Sequence, residues 1–172
     1  QRAAQQLSAD VQRRAMALAT ILEPLLIVAM GGMVMLIVLA VLMPIVAGIG
    51  GNSGNQTITM IVRAIAMGQV QPDAARRLLR KELGVATING LIWGTLLGIA
   101  AWWLYGSFKL GIVMTSAMTL NLLLAASAGV GIPLMRQKFG ADPAVGGSVM
   151  ITALTDSGGF FIFLGLATLF LM

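Results

Sequence analysis

Apolar runs long enough to cross a bilayer recur along the chain and are separated by short polar or basic stretches. A membrane helix needs about 20 predominantly apolar residues to span the hydrocarbon core. Runs of this length cover residues 15–43, 44–68, 84–104, 110–135 and 145–171. The pattern predicts an all-α, polytopic membrane protein with about five transmembrane helices, or with four if the first two runs form one kinked helix.

Basic residues lie between these runs and are distributed unequally. With five spans and a cytoplasmic N-terminus, Arg63, the basic cluster at 76–81, Arg136 and Lys138 face the cytoplasm, and Lys109 faces the other side. Cytoplasmic loops carry an excess of Lys and Arg, so this distribution favours five spans. The net charge of +5 is then explained by membrane topology, and no nucleic-acid partner is predicted.

The composition restricts any chemistry to oxygen ligands. Hydrophobic residues make up 58% of the chain and charged residues 10%, which excludes a soluble domain and indicates a protein embedded in the lipid bilayer. Cysteine and histidine are absent from the sequence, so disulfides, thiolate ligands and imidazole ligands are excluded. A nucleophile paired with a base is not found either, and an enzyme is the least expected class.

One acidic residue is placed differently from the others. Glu82 and Asp142 lie in loops or at span ends, where a solvated or helix-capping carboxylate is expected, whereas Asp156 lies well inside an apolar run. An ionised carboxylate at the bilayer centre costs on the order of 3 kcal/mol, and no span offers a basic residue deep enough to pair with it. A bound cation is the natural partner, and a protonated acid packed against another helix is the alternative.

Neutral oxygens that could join Asp156 are concentrated in the stretch GGNSGNQT, residues 50–57. The glycines predict a break in the helix with backbone carbonyls turned towards a cavity, because non-helical backbone at membrane depth must line water or be buried in protein. Amides that hydrogen-bond between helices are the alternative. The oxygen-bearing side chains are those of Asn52, Asn55, Gln56, Thr57 and, in a later span, Asn121.

A site of this kind favours a hard divalent cation. Mg²⁺ prefers oxygen ligands and gives up its water reluctantly, although Mn²⁺, Co²⁺ and Ni²⁺ also occupy oxygen sites. One carboxylate is too little for a divalent ion, and a twofold axis along the membrane normal would bring two copies of Asp156 to one pore. We therefore predict a homodimer.

From about Leu39 onward the chain resembles the membrane domain of the MgtE family of magnesium channels and transporters. The resemblance is carried by the following stretches, in family order: PIVAGIGGNSGNQT with IVRAIAMG, KELGVATINGLIWGTLLG, AMTLNLLLAASAGVGIPLM, GADPAV and ITALTDSGG. Their agreement implies magnesium transport across a bacterial inner membrane by a multi-pass protein.

The MgtE resemblance also implies roles for individual residues. It implies a homodimeric pore that selects hydrated Mg²⁺ with Asp156 and is lined by Gly48, Asn52 and Asn55, with Asn121 and Asp142 in supporting roles. The family's cytoplasmic regulatory region, with its nucleotide-binding-type modules, has no counterpart in this chain, so gating by that route is expected to be absent. A channel and a coupled carrier remain alternatives.

The N-terminal region resembles a different family. Through LEPLLIVAMGG and the ending VLMPI, it is similar to the last span of the inner-membrane platform proteins of type II secretion and type IV pili, the GspF/PilC family. The chain is thus predicted to combine a secretion-platform-like segment, residues 1–43, with an MgtE-like transport domain, residues 44–172. A structural module of a secretion platform and a hybrid without transport activity are the alternative functions.

Overall fold

The predicted all-helical architecture is confirmed. The computed structural model describes the backbone of residues 2–70 and 72–171; the side chains of residues 2–11, 15, 17, 34, 35, 38, 39, 72, 73 and 171 lie outside the description. Within these ranges the chain forms four helices and no strand: α1, Arg2–Ala66; α2, Pro72–Tyr105; α3, Phe108–Lys138; and α4, Gly147–Leu171.

The first two apolar runs belong to a single helix. Residues 15–43 and 44–68 were predicted as separate spans, and one merged element was the alternative. The structure agrees with the alternative, because α1 extends from Arg2 to Ala66. The predicted break at GGNSGNQT is wrong, since these residues are helical throughout. Their glycines contact other helices closely, and such packing compensates the low helix propensity of glycine.

The chain divides into two compact units, residues 1–41 and 42–172. In the first unit, the side chains that are described from Gln12 to Met33 are exposed or half-buried, although this segment is long and apolar enough to cross a membrane. The second unit has a buried apolar core, which includes Met43, Ile61, Met114, Met118, Ile151 and Phe163. Only the second unit therefore packs several helices against one another.

Helices α2 and α3 pack antiparallel through a glycine stripe of α2, formed by Gly90, Gly94 and Gly98 at four-residue intervals. A Cβ atom at Gly90 would lie 2.7 Å from the Cα of Thr119, and one at Gly98 would lie 2.6 Å from the carbonyl oxygen of Gly111. Between these contacts, the Thr115 hydroxyl donates to the carbonyl oxygen of Gly94 at 3.0 Å. Such close approach requires glycine, as the four-residue spacing of the stripe predicts.

The end of α1 that belongs to the second unit runs antiparallel to α4 and parallel to α3. Along α1, Gly51, Gly54 and Ile58 contact residues of α4 whose numbers decrease: Thr155, Ile151 and Gly147. By contrast, Gly54 and Thr57 contact residues of α3 whose numbers increase, Ala125 and Gly129. The C-terminal ends of α1 and α3 consequently lie at one end of this unit. Most of the unit's basic residues lie there, whereas Lys109 lies in the first turn of α3 at the other end.

Candidate functional site

The GGNSGNQT stretch presents two different faces. We call the buried residues Gly50, Gly51, Gly54, Thr57 and Ile58 the inner face, because they contact α2, α3 or α4. The outer face consists of Asn52, Asn55, Gln56, Thr59 and Arg63, of which Asn55 is half-buried and the others are exposed. The spacing of three and four residues along each set is that of one side of a helix.

Helix α4 lies directly against the inner face. A Cβ atom at Gly54 would lie 2.6 Å from the Cγ1 of Ile151, and one at Gly51 would lie 3.4 Å from the hydroxyl oxygen of Thr155. Neither Ile151 nor Thr155 has any exposed surface. At Gly54 the inner face therefore lies closer to α4 than a larger side chain permits, whereas a Cβ atom at Gly51 would make an ordinary contact.

Asn121 joins three helices near this contact. Its Nδ2 donates to the carbonyl oxygen of Val46 in α1 at 2.9 Å. A Cβ atom placed at Gly50 of α1 would collide with the same amide, and one at Gly159 of α4 would lie 3.0 Å from Nδ2. The side chain is fully buried, and its Oδ1 accepts no hydrogen bond from the described residues. Asn121 thus holds helices together through its amide, and this is the alternative role predicted from the sequence for the asparagines.

Thr57 forms a second contact between helices, further along α1. Its hydroxyl donates to Oε2 of Glu82 in α2 at 3.2 Å, and a Cβ atom at Gly129 of α3 would lie 2.8 Å from the Cβ of Thr57. Thr57 and Glu82 are both buried, with 5% and 8% of their surfaces exposed. This threonine holds α1 against its neighbours and does not face the outer side of the helix.

The outer face borders an open groove. The groove has a volume of about 650 Å³ and is lined by Asn52, Asn55, Gln56, Thr59, Met60 and Arg63. The Oδ1 atom of Asn55 is buried and accepts no hydrogen bond from the part of the chain that is described. A buried amide oxygen without a protein partner requires a water molecule or another ligand to satisfy it.

Asp156 lies on the same side of the α1–α4 pair as the outer face. Gly51 meets Thr155, and the next residue of each helix, Asn52 or Asp156, is turned by about 100° from that contact. Because the two helices run antiparallel, the two rotations have opposite senses when viewed along the pair. Both exposed side chains therefore point to one side, at nearly the same level.

The remaining predicted site residues occupy different surroundings. Gly48 is exposed one turn before Asn52, and no atom lies within 4 Å of the place where its Cβ would be. Asp142 lies in the exposed turn between α3 and α4, where its Oδ1 accepts from the backbone nitrogen of Ala144 at 2.9 Å. Its carbonyl oxygen accepts from Nε of Arg136 at 3.0 Å. Asp142 therefore shapes this turn.

Glu82 is the residue that the sequence reasoning missed. It was expected to be solvated at a span end, whereas the structure buries it against Thr57. A usable signal was present, because Glu82, Ala86 and Gly90 continue the four-residue spacing of the α2 glycine stripe backwards along one face of the helix. A charged residue in register with such a contact face is expected to be buried with a partner.

Within one chain, the described residues contain no group of three or more acidic side chains that could hold a metal ion. Asp156 contributes one carboxylate, and the outer face contributes neutral oxygens from four residues together with the positive charge of Arg63. A single copy thus offers a weak set of ligands for a divalent cation, and such a cation would keep most of its water.

Comparisons with known proteins point in one direction. Residues 43–166 match the family described as MgtE, divalent cation transporter. The magnesium transporter MgtE of Bacillus subtilis is 30% identical over 135 residues, which are 78% of this chain and 30% of that protein. The magnesium transporter MgtE of Thermus thermophilus is 34% identical over 133 residues, which are 77% of this chain and 29% of that protein.

A third relative gives the same result. The magnesium transporter MgtE of Enterococcus faecalis is 31% identical over 135 residues, 78% of this chain and 30% of that protein. The chain thus spans about 30% of the length of the curated relatives that it matches. The matched part begins close to the start of the second compact unit, at Leu42.

Proposed function

Because this chain belongs to the MgtE family of divalent cation transporters, we propose that it conducts Mg²⁺ across the membrane along the outer face of α1 and past Asp156. The proposal rests on one observation, which is that the polar groups of the outer face and Asp156 lie on the same side of the α1–α4 pair. Asn52, Asn55 and Gln56 line the groove on the outer side of α1, and helix geometry directs the exposed Asp156 side chain to the same side. Polar groups on a lipid-facing surface are costly, so this side is expected to line water.

The ligand chemistry suits a hydrated divalent cation. The Asp156 carboxylate supplies the charge, and the amides accept hydrogen bonds from water molecules that Mg²⁺ retains. Thr57 and Asn121 contribute differently, since both lie inside the bundle and hold α1 in place. Mn²⁺, Co²⁺ and Ni²⁺ can use the same oxygens, and competition of each ion with Mg²⁺ uptake measures the selectivity.

A second copy of the chain completes the site in this proposal. One carboxylate neutralises only half of the charge of a divalent cation, and a twofold axis along the membrane normal would place a second Asp156 across the pore. The exposed outer face supports this arrangement, because the second copy would cover it and enclose the groove. The homodimer pore is therefore part of the same proposal as the ion.

The proposal also includes an orientation and a domain boundary, which charge and contacts support. We place the basic end of the second unit in the cytoplasm of a bacterium, at the inner membrane, because positive charges are retained there. Residues 1–43 form a separate segment in this proposal, supported by the division between Val41 and Leu42. Its likeness to secretion-platform proteins stays a prediction that rests on LEPLLIVAMGG and VLMPI.

Uptake of Mg²⁺ into proteoliposomes tests the proposal. The chain is reconstituted with a trapped fluorescent indicator under an inside-negative potential, and the Asp156→Asn variant is compared with it. We expect Asp156→Asn to reduce uptake at least about tenfold while the dimer and its melting temperature persist, because the cation loses its charged ligand. Glu23→Gln is the matched control, since it neutralises an exposed carboxylate in the apolar run of the first unit.

Two results would contradict the proposal. Uptake that is equal in the unchanged chain and in Asp156→Asn would remove the carboxylate from the pathway. An unchanged chain that inserts as a dimer but moves no Mg²⁺ would favour the alternatives of a platform module or an inactive hybrid. Strong dependence of uptake on a pH gradient at fixed Mg²⁺ would identify a coupled carrier.

A further inference from the structure

Glu82 is a buried carboxylate that the proposed pathway does not use. It lies on α2 with 8% of its surface exposed, on the opposite side of α1 from the groove. Its described hydrogen bond is the one it accepts from the Thr57 hydroxyl, at 3.2 Å. A buried carboxylate is costly unless it is hydrogen-bonded, so the bond from Thr57 is the contact that compensates the burial of Glu82.

The place of this bond along α1 indicates what it controls. Thr57 directly follows Gln56 and lies two residues after Asn55, and both of these neighbours line the groove. A helix can turn about its own axis when its surface is smooth, and the inner face of α1 consists mostly of glycine. The Thr57–Glu82 hydrogen bond is a directional contact that resists such a turn.

Packing around Thr57 restricts the same motion. A Cβ atom at Gly129 would lie 2.8 Å from the Cβ of Thr57 and 3.1 Å from the carbonyl oxygen of Gly54. Helix α3 therefore touches the backbone of α1 beside the hydrogen bond that α2 makes. With Asn121 bonded to Val46 at the other end of the stretch, the amides of the outer face lie between two fixed points.

We propose that Glu82 is a positioning residue, which acts through Thr57 to set the rotation of α1 about its axis and so directs Asn52, Asn55 and Gln56 into the cation pathway. This inference rests on the proposed function for its effect on transport. Glu82 does not touch the cation, because it lies on the inner side of α1. In this role, the ability of Glu82 to accept a hydrogen bond matters more than its negative charge.

Three variants separate the acceptor from the charge. Thr57→Val removes the donor at nearly constant volume, Glu82→Leu removes the acceptor, and Glu82→Gln keeps an acceptor oxygen without the charge. We expect the apparent KM for Mg²⁺ uptake to rise about two- to tenfold in Thr57→Val and Glu82→Leu, the range given by loss of one hydrogen bond. Glu82→Gln should restore a KM close to that of the unchanged chain.

The double variant Thr57→Val with Glu82→Leu completes the cycle. Its KM should not exceed that of the more impaired single variant, because both changes remove one shared contact. Melting temperature is measured for every variant in the same detergent. If Glu82→Leu does not fold, Thr57→Val and Glu82→Gln still decide the question.

Other outcomes would overturn the inference. Equal impairment of Glu82→Gln and Glu82→Leu with a normal Thr57→Val would show that the charge itself acts on the cation. Lower melting temperatures with an unchanged KM would show a purely structural role.

A transport-independent readout separates this inference from the proposed function. A cysteine introduced by Gln56→Cys is labelled with a membrane-impermeant thiol reagent, since the chain contains no other cysteine. Thr57→Val should slow this labelling, because α1 turns away from the groove, and an unchanged rate would reject the inference. If the unchanged chain moves no Mg²⁺, only the proposed function fails, and the labelling rate still decides the role of Glu82.

Discussion

The inner and outer faces of one helical stretch, residues 50–63, differ in both packing and polarity. On the inner face, glycines bring α1 so close to α3 and α4 that an added Cβ at Gly54 would lie 2.6 Å from Ile151. On the outer face, the amides of Asn52, Asn55 and Gln56 border a groove of about 650 Å³. The residues alternate between these faces within one short stretch.

This contrast shows how a membrane helix can present polar groups without being broken. The backbone of GGNSGNQT remains helical, so its carbonyl oxygens are used within the helix and only side chains reach the groove. Close packing of the inner face stabilises the unit, and two hydrogen-bonded contacts, at Asn121 and at Thr57, fix the rotation of α1 about its axis. The outer face is then free to serve a hydrated ion.

The largest effect on stability is expected from Gly129→Val. The added side chain would meet the Cβ of Thr57 at 2.8 Å and the carbonyl oxygen of Gly54 at 3.1 Å, and the latter belongs to backbone that cannot move aside. We expect a loss of about 3 kcal/mol or more, measured as a lower melting temperature in detergent or as failure to fold.

Gly131→Val is the matched control in the same helix. Gly131 is exposed, and no atom lies within 4 Å of its Cβ position. Its stability should change little, within about 0.5 kcal/mol. Equal destabilisation by the two valines would mean that close contact with the inner face of α1 is not what stabilises this unit.

Single alanine substitutions are expected to change stability less, and the sign of the change should differ between the two sides of α1. Gly54→Ala places a methyl group 2.6 Å from Ile151, a side chain with no exposed surface, and should destabilise the unit by about 1 kcal/mol. Gly48→Ala meets nothing within 4 Å. It should raise stability by about 0.5 kcal/mol, because alanine is the better helix former.

Thermal melting of both alanine variants measures this difference directly. A fall in melting temperature for Gly48→Ala as large as that for Gly54→Ala would remove the distinction between the faces. Any loss of Mg²⁺ uptake in Gly48→Ala at unchanged stability would instead concern the groove, and would support a lining role for this residue.

Much of the architecture could be predicted from the sequence. Long apolar runs predict membrane helices, and the spacing of Gly90, Gly94 and Gly98 predicts close approach of another helix, which the structure identifies as α3. The MgtE resemblance predicted from the motifs is confirmed by the family match. The placement of Asp156 and Asn52 on one side required the structure, because it depends on the antiparallel contact of Gly51 with Thr155.

Other features could not be predicted from local pattern. The glycine-rich stretch was expected to break the helix because glycine is a poor helix former in isolation, yet contacts with Ile151, Ala125 and Gly129 keep it helical. Glu82 was expected to be solvated, because charged residues are usually exposed. Its burial depends on a hydroxyl donor 25 residues earlier in the chain, and such a pairing is set by the fold.

Cysteine scanning of residues 50–63 tests the central claim most directly. The chain contains no cysteine, so each position is replaced singly, labelled with a membrane-impermeant thiol reagent in proteoliposomes, and labelled again with millimolar Mg²⁺ present. We expect labelling, and its suppression by Mg²⁺, at Asn52, Asn55, Gln56, Thr59 and Arg63, and none at Gly50, Gly51, Gly54, Thr57 and Ile58. Uniform labelling, or labelling of the outer face that Mg²⁺ does not change, would contradict the assignment of this face to the cation pathway.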